Sequence, residues 1–114
     1  MRDPTERLRD ILEAIAAIER HAPRDQASFA QDELLQVWCL RHLQIIGEAA
    51  RMLPETVRAL SSAIPWPKII GMRNVLVHGY FEIDTEIVWH AVALDVPSLK
   101  PEIEHLLASL QSNR

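Results

Sequence analysis

The sequence predicts an all-α fold, an antiparallel bundle of four to five helices. Leu, Ile, Val and Ala recur at steps of three or four residues along most of the chain, which is the period of helices with one buried face. Glycine is scarce, with three residues in 114. Clusters of β-branched residues separated by turns, which are typical of sheets, are largely absent.

The first half of the chain has clear helix boundaries. Pro4 and Thr5 precede a first amphipathic helix, and the segment around His21 and Pro23 ends it, because proline disfavours a helical residue before it. Residues 24–32 form a polar connection or a short helical turn. A second helix extends from about Gln31 to Met52 and is apolar on most sides, so we expect it at the centre of the bundle or in a subunit interface.

Prolines divide the second half of the chain. Pro54 suits the first turn of a short helix, and Pro67 suits the first position of the next one. That next helix is predicted to continue through Val77, with Gly79 as its natural end. Asp84 or Thr85 is expected to cap the last helix, which Pro97 and Pro101 would kink or split.

Length and composition bound the class of protein. The length of 114 residues predicts one domain, residues 1–114. The only cysteine, Cys39, excludes a disulfide within the chain and a cysteine-based zinc site. The charged start does not resemble a signal peptide, and no apolar run reaches the ~18 residues of a membrane span. We therefore expect a cytoplasmic protein that uses no membrane, metal or cofactor.

Charge is unevenly distributed along the chain. The formal net charge is −4, which argues against an obvious nucleic-acid binder. Residues 34–80, however, carry five basic side chains and two acidic ones, whereas the segments on both sides are acidic. This pattern is either chance scatter over solvated faces or a positive cleft with acidic outer walls.

Polar and titratable groups are concentrated in the stretch M72-R-N-V-L-V-H-G-Y80. Asn74 and His78 are four residues apart, so on a helix they would share one face, with Arg73 beside them and Tyr80 just beyond the helix end. In metal-free RNA cleavage a histidine transfers the proton, and an arginine matches the charge on the phosphoryl oxygens. The alternative is structural, because an arginine and a histidine near a helix end more often cap carbonyls or pair with carboxylates.

Four segments of the chain resemble the HepT-like ribonuclease toxins of the HEPN superfamily. Residues 73–80 match the R-x-x-x-x-H-x-Y motif of that family. Further matches are I45-I-G-E-A-A50 in the long central helix, I64-P-W-P-K-I-I-G-M-R-N74 before the motif and D84-T-E-I-V-W89 at the last helix. The short motif is weakly specific by itself, whereas the four segments in this order are a strong signal.

The resemblance implies a function and a site. Such proteins are metal-independent endoribonucleases that act as homodimers, with the active cleft at the two-fold interface and an HEPN-like helical bundle as the fold. They are the toxins of type VII toxin–antitoxin pairs. By position, Arg73 and His78 would be the catalytic pair, and Asn74 would occupy the polar position after the arginine. Tyr80 would be the residue that a partner nucleotidyltransferase antitoxin modifies with AMP.

Other residues have weaker roles in this prediction. Arg41, Arg51 and Lys68 are candidates for contact with RNA phosphate, although a solvated helix face is the commoner outcome. Glu48 lies in an apolar helix, so we expect it to have a partner or a water-filled pocket, and a structural ion pair is favoured over a catalytic role. The RNA that is cut is open, with transfer RNA as one candidate.

A second function from another class fits the same sequence. In this alternative the helical dimer is a non-catalytic module that binds a nucleotide or holds a substrate for a nucleotidyltransferase. The charged residues would then hold the nucleotide or the interface. Toxicity on expression that is relieved by Arg73→Ala would favour the enzyme.

Overall fold

The computed structural model describes residues 3–21, 24–74, 77–78 and 82–112, with residues 77, 78 and 82 described by their backbone alone. In chain order the elements are α1 (Pro4–Arg20), α2 (Gln26–Ala30), α3 (Glu33–Arg51), α4 (Glu55–Arg58), a 3₁₀ turn (Ala59–Ser61), α5 (Trp66–Gly71), β1 (Val77–His78), β2 (Glu82–Ile83), α6 (Thr85–His90), a π-helical segment (Ala91–Asp95) and α7 (Val96–Ser112). The predicted all-α class is confirmed.

An aspartate begins each of four helices. The side chains of Asp3, Asp25, Asp32 and Asp84 accept hydrogen bonds from backbone N–H groups in the first turns of α1, α2, α3 and α6, over 2.7–3.1 Å. A capping carboxylate satisfies a donor that has no partner within the helix, and its charge suits the positive helix end. The predicted cap of the last helix at Asp84 is therefore confirmed.

The core lies between the three long helices. α1 packs against both α3 and α7, and the apolar stripe of α1 is almost completely buried. Its innermost members are Leu8, Ile11, Ile15 and Ile18. From α3 and α7 the same cluster receives Leu43, Ile46, Ile103 and Leu106, among others. The spacing of three and four residues that the sequence shows thus faces this core.

Two polar side chains of α3 fix its neighbours. The amide of the buried Gln36 donates to the carbonyl oxygen of Phe29 over 2.8 Å, which ties α2 to α3. The indole of Trp38 donates to the carbonyl oxygen of Ala17 over 2.8 Å, which ties α3 to α1. A partly buried indole usually finds such a partner, and Trp38 is the packing residue that its position suggests.

The predicted helix from Pro67 to Val77 is wrong in its second half. α5 ends at Gly71, residues 72–74 form a turn, and Val77–His78 is a strand paired with Glu82–Ile83. The physical reason lies in the run Val75 to Val77. Its apolar residues fit a helical period, but a short run that is rich in β-branched residues is equally compatible with a strand. Asn74 and His78 therefore do not share a helical face.

The long final helix is interrupted just before Pro97, as the sequence predicts. Residues 91–95 adopt π-helical geometry, and α7 follows with Pro97 in its first turn and Pro101 inside it. A proline nitrogen donates no hydrogen bond to the preceding turn, and the π-helical segment precedes Pro97, whereas α7 continues through Pro101 without a break. Among the described residues, no helix has both the length and the apolarity needed to cross a bilayer.

Candidate active site

Gly47 allows the chain at the start of the motif to pack closely against the central helix. A Cβ atom on Gly47 would lie 2.5 Å from the backbone nitrogen of Arg73 and 3.1 Å from the carbonyl oxygens of Ile69 and Ile70. Only a residue without a side chain allows two backbones to approach this closely. The end of α5 therefore packs directly on α3, and the backbone of Arg73 lies next to Gly47.

Glu48, the next residue on α3, bridges two arginines. Its Oε1 accepts from Nη2 of Arg51 over 2.6 Å, and its Oε2 accepts from Nε of Arg51 over 3.3 Å. The same Oε2 accepts from Nη1 of Arg73 over 3.3 Å. Residues 48 and 73 are far apart in sequence, and the Gly47 contact brings them together. The predicted ion pair of Glu48 is confirmed, and one of its partners is the arginine of the motif.

The two guanidinium groups change the electrostatics of this carboxylate. The hydrogen bond from Arg51 lowers the pKa of Glu48 below its usual value, and the hydrogen bond and charge of Arg73 act in the same direction. In return, Glu48 raises the pKa of Arg51. Glu48 is therefore ionised throughout the neutral pH range, and the ion pair is lost only in acid, as pH falls through the lowered pKa.

Arg73 and Asn74 lie in an exposed turn after α5. The N–H of Arg73 donates to Ile70 over 3.3 Å, and the N–H of Asn74 donates to Gly71 over 3.0 Å. These bonds span three residues and tighten the chain after the helix. Within the part of the chain that the structure describes, Glu48 is the only acceptor for the guanidinium of Arg73. Its remaining N–H groups face no protein acceptor there.

Of the other two motif residues, the structure describes the backbone of His78 and does not describe Tyr80. The backbone of His78 lies in β1 opposite Glu82, so His78 is not in the last turn of a helix. The side chain of His78 and all of Tyr80 lie outside the described residues. Their predicted roles as catalytic histidine and AMP acceptor stay predictions.

The three candidate RNA contacts have different surroundings. Arg51 lies beside Arg73 through their shared partner Glu48. Arg41 is exposed on α3, about two helical turns before Glu48 and on a similar side. Lys68 instead points toward the π-helical segment, where its Nζ lies 3.0 Å from Oδ1 of Asp95.

Lys68 and Asp95 line a groove between α5 on one side and α6 with the π-helical segment on the other. The groove has a volume of about 610 Å³ and is lined also by Met72, Ile87 and His90. The ring of His90 lies 3.6 Å from Asp95 through Nδ1. The carboxylate of Asp95 thus engages Lys68, as the carboxylate of Glu48 engages Arg51 and Arg73.

Cys39 does not belong to the site. It is fully buried, and this burial, with a smaller contribution from Asp32, raises the pKa of its thiol to about 11. The thiol is therefore protonated at neutral pH and is not a nucleophile. Among the described residues, no group of three or more His, Cys, Asp or Glu side chains is arranged to hold a metal ion.

Sequence reasoning missed the partner of Arg73. It expected an ion pair for Glu48 but did not name the arginine of the motif. A signal was present in the adjacent pair Gly47-Glu48, since a glycine inside an apolar helix indicates that another backbone comes close. The neighbouring Glu48 would then be near the chain segment that packs against Gly47.

The arrangement of the helices places the chain among the all-α helical bundles, and comparison with known proteins identifies the family. A family model described as ribonuclease HepT-like matches residues 11–106. The protein "Probable ribonuclease HepT" of Thermococcus cleftensis is 40% identical over 101 residues, which is 87% of this chain and 91% of that protein.

Two proteins of Methanocaldococcus jannaschii are also similar. One, "Putative RNase MJ1380", is 38% identical over 104 residues, covering 90% of this chain and 95% of that protein. The other, "Gamma-glutamylcyclotransferase and putative RNase MJ0434", is 35% identical over 108 residues, covering 94% of this chain and 49% of that longer protein. No solved structure shows a significant match. The chain therefore belongs to the HepT-like ribonuclease family and has its all-α, HEPN-like fold.

Proposed function

We propose that this protein is a metal-independent endoribonuclease whose active site contains Arg73, Asn74 and His78. The observation that carries the proposal is the position of Arg73. Its guanidinium lies in an exposed turn, is oriented by Glu48 and retains N–H groups that face no acceptor among the described residues. Membership of a ribonuclease family supports RNA as the substrate. The proposed catalytic domain comprises residues 1–114.

The chemistry requires three tasks. The 2′-hydroxyl of a ribose attacks the adjacent phosphorus, and the 5′-oxygen of the next nucleotide leaves. His78 takes the proton from the 2′-hydroxyl or gives one to the leaving oxygen, since an imidazole exchanges protons near neutral pH. Arg73 donates two hydrogen bonds to the phosphoryl oxygens, whose charge grows in the transition state. Asn74, the next residue, orients the imidazole or a hydroxyl of the substrate.

A homodimer suits the exposed face of α3. Leu34 and Val37 are 84% and 51% exposed, and their spacing puts them on a similar side of α3 as Arg41 and Glu48. Large apolar side chains in such a position favour coverage by another chain. A two-fold axis along this face would bring two copies of Arg73 and His78 toward one cleft. Arg41 and Arg51 would then extend the positive surface along the RNA.

We further propose that the ribonuclease is the toxin of a toxin–antitoxin pair and that a nucleotidyltransferase antitoxin silences it with AMP on Tyr80. An AMP group would add bulk and negative charge two residues from His78. It would repel the phosphates of RNA, by the logic through which phosphorylation disrupts a site.

The silencing proposal has a mass readout. Incubated with its cognate nucleotidyltransferase and ATP, the wild-type protein is expected to gain the mass of AMP and to lose RNA cleavage. The Tyr80→Phe variant lacks the acceptor oxygen, so it should keep its mass and its activity under the same treatment. Addition of AMP to the Phe variant would show that Tyr80 is not the sole acceptor.

The ribonuclease proposal is tested without the partner. The purified protein is mixed with RNA in EDTA, and its cleavage is compared with that of His78→Ala. We expect cleavage by the wild type and a loss of about 10²–10⁴-fold in the variant, the usual contribution of a general acid or base. Equal cleavage by both proteins, or cleavage by neither, would refute the proposal.

A further inference from the structure

We propose that Glu48 is a positioning residue of the active site, whose carboxylate holds the guanidinium of Arg73 in the orientation needed to meet the scissile phosphate. The inference rests on the proposed ribonuclease function and deepens it. It assigns a task to a residue that lies outside the R-x-x-x-x-H-x-Y motif and on a different helix.

The geometry shows how the carboxylate is itself held. Arg51 binds Glu48 with two N–H groups, Nη2 to Oε1 over 2.6 Å and Nε to Oε2 over 3.3 Å. Such a forked pair fixes both distance and plane. Since Arg51 is three residues after Glu48 on the same helix, the carboxylate is oriented by a rigid element. Arg73 meets this prearranged acceptor through Nη1 alone.

Among the residues that the structure describes, this single contact leaves the other N–H groups of the guanidinium without an acceptor. Within the described residues, Nη2 and Nε of Arg73 have no protein acceptor. Two N–H groups are what a phosphate needs for a planar, two-point contact. Glu48 thus restrains one arm of the guanidinium and leaves the phosphate-binding groups to the substrate.

The backbone supplies a second restraint on the same arginine. A Cβ on Gly47 would lie 2.5 Å from the nitrogen of Arg73, so the backbone of Arg73 packs closely against the residue next to Glu48. Helix α3 therefore fixes both the start and the tip of the Arg73 side chain. A long side chain in an exposed turn would otherwise sample many rotamers.

A direct catalytic role for Glu48 fits less well. Its carboxylate already accepts three N–H groups from two arginines. These hydrogen bonds favour the ionised form, so the group has no proton to donate at neutral pH and is a weak base. Its effect on the reaction is expected to pass through Arg73.

The variant Glu48→Gln tests this role, and Glu19→Gln is a matched control. Glu19 is also 49% exposed in its side chain, and it pairs with Lys100 over 3.0 Å between α1 and α7. Both substitutions remove one negative charge from an exposed ion pair. Single-turnover cleavage is measured in EDTA, binding is measured with an RNA of the same sequence that carries 2′-O-methyl groups, and thermal unfolding midpoints are compared.

We expect Glu48→Gln to cleave about 10-fold more slowly, since a poorly oriented guanidinium lowers the rate of the chemical step. Its affinity for the methylated RNA should stay within about twofold of the wild type, and its unfolding midpoint should match that of Glu19→Gln. A rate equal to that of Glu19→Gln, in a protein whose cleavage depends on His78, would overturn the inference and leave the ribonuclease proposal intact.

A readout without RNA decides the point independently. In ¹⁵N relaxation measurements, Nε of Arg73 is expected to be ordered in the wild type and in Glu19→Gln, and mobile in Glu48→Gln. Equal order of Arg73 in all three proteins would overturn the positioning role even if no RNA were cleaved. Absence of cleavage by the wild type would instead refute the proposed function.

Discussion

The Arg73→Ala variant is expected to cleave RNA about 10²–10³-fold more slowly than the wild type, the usual loss when one donor to a developing oxyanion is removed. Arg73 lies in an exposed turn, so the loss should come from the transition state and not from unfolding. The measurement is the single-turnover rate constant in EDTA, with the unfolding midpoint determined on the same preparation.

Two further variants separate charge from geometry at this position. Arg73→Lys keeps the positive charge but loses the planar fork, so its rate should lie between those of the wild type and Arg73→Ala. Arg9→Ala removes a charge from an exposed position on α1 and should cleave at the wild-type rate. If Arg73→Ala cleaved as fast as Arg9→Ala, Arg73 would not be a catalytic residue.

Gly47→Ala is expected to lower the free energy of unfolding by about 1–3 kcal/mol, the typical result of overpacking. In a helix without neighbours the same change would stabilise by up to about 1 kcal/mol, so the sign of the result is informative. The added methyl would meet the nitrogen of Arg73 at 2.5 Å and two carbonyl oxygens at 3.1 Å. All three are backbone atoms, so the end of α5 must move, and the position of Arg73 moves with it.

Denaturant unfolding measures the loss of stability in Gly47→Ala. The rate of RNA cleavage, at a temperature where the variant is folded, measures the effect of moving Arg73. Gly71→Ala is the control, because a Cβ on Gly71 would meet no atom within 4 Å. That variant should be as stable as the wild type or slightly more so. A Gly47→Ala protein that matched Gly71→Ala in stability and rate would show that close approach at Gly47 does not position Arg73.

Local signals predicted most of the helices. The apolar stripe of α1, the capping carboxylate of Asp84 and the helix interruption before Pro97 each depend on residues close together in the chain, so the sequence indicates them directly. The chain after Gly71 depends on tertiary contact instead. There the turn of Arg73 rests on α3, and Val77–His78 pairs with Glu82–Ile83, which a helical period cannot reveal.

The candidate site divides in the same way. The residues of the motif lie within eight positions of the sequence, so their spacing and the resemblance identify them. Membership of the family is confirmed. The bridge from Arg51 through Glu48 to Arg73 joins positions on separate elements. Only the close packing at Gly47 brings them together, so the sequence indicates that Glu48 needs a partner without identifying it.

The proposed mechanism requires that Arg73 and His78 cleave RNA through the 2′-hydroxyl of the substrate. The most direct measurement compares, in EDTA, one RNA with the same RNA carrying a single 2′-deoxyribose at the cleavage position. We expect a 2′,3′-cyclic phosphate from the first RNA and no cleavage at the substituted position of the second. Undiminished cleavage at the deoxyribose, or cleavage only after a divalent metal is added, would contradict it.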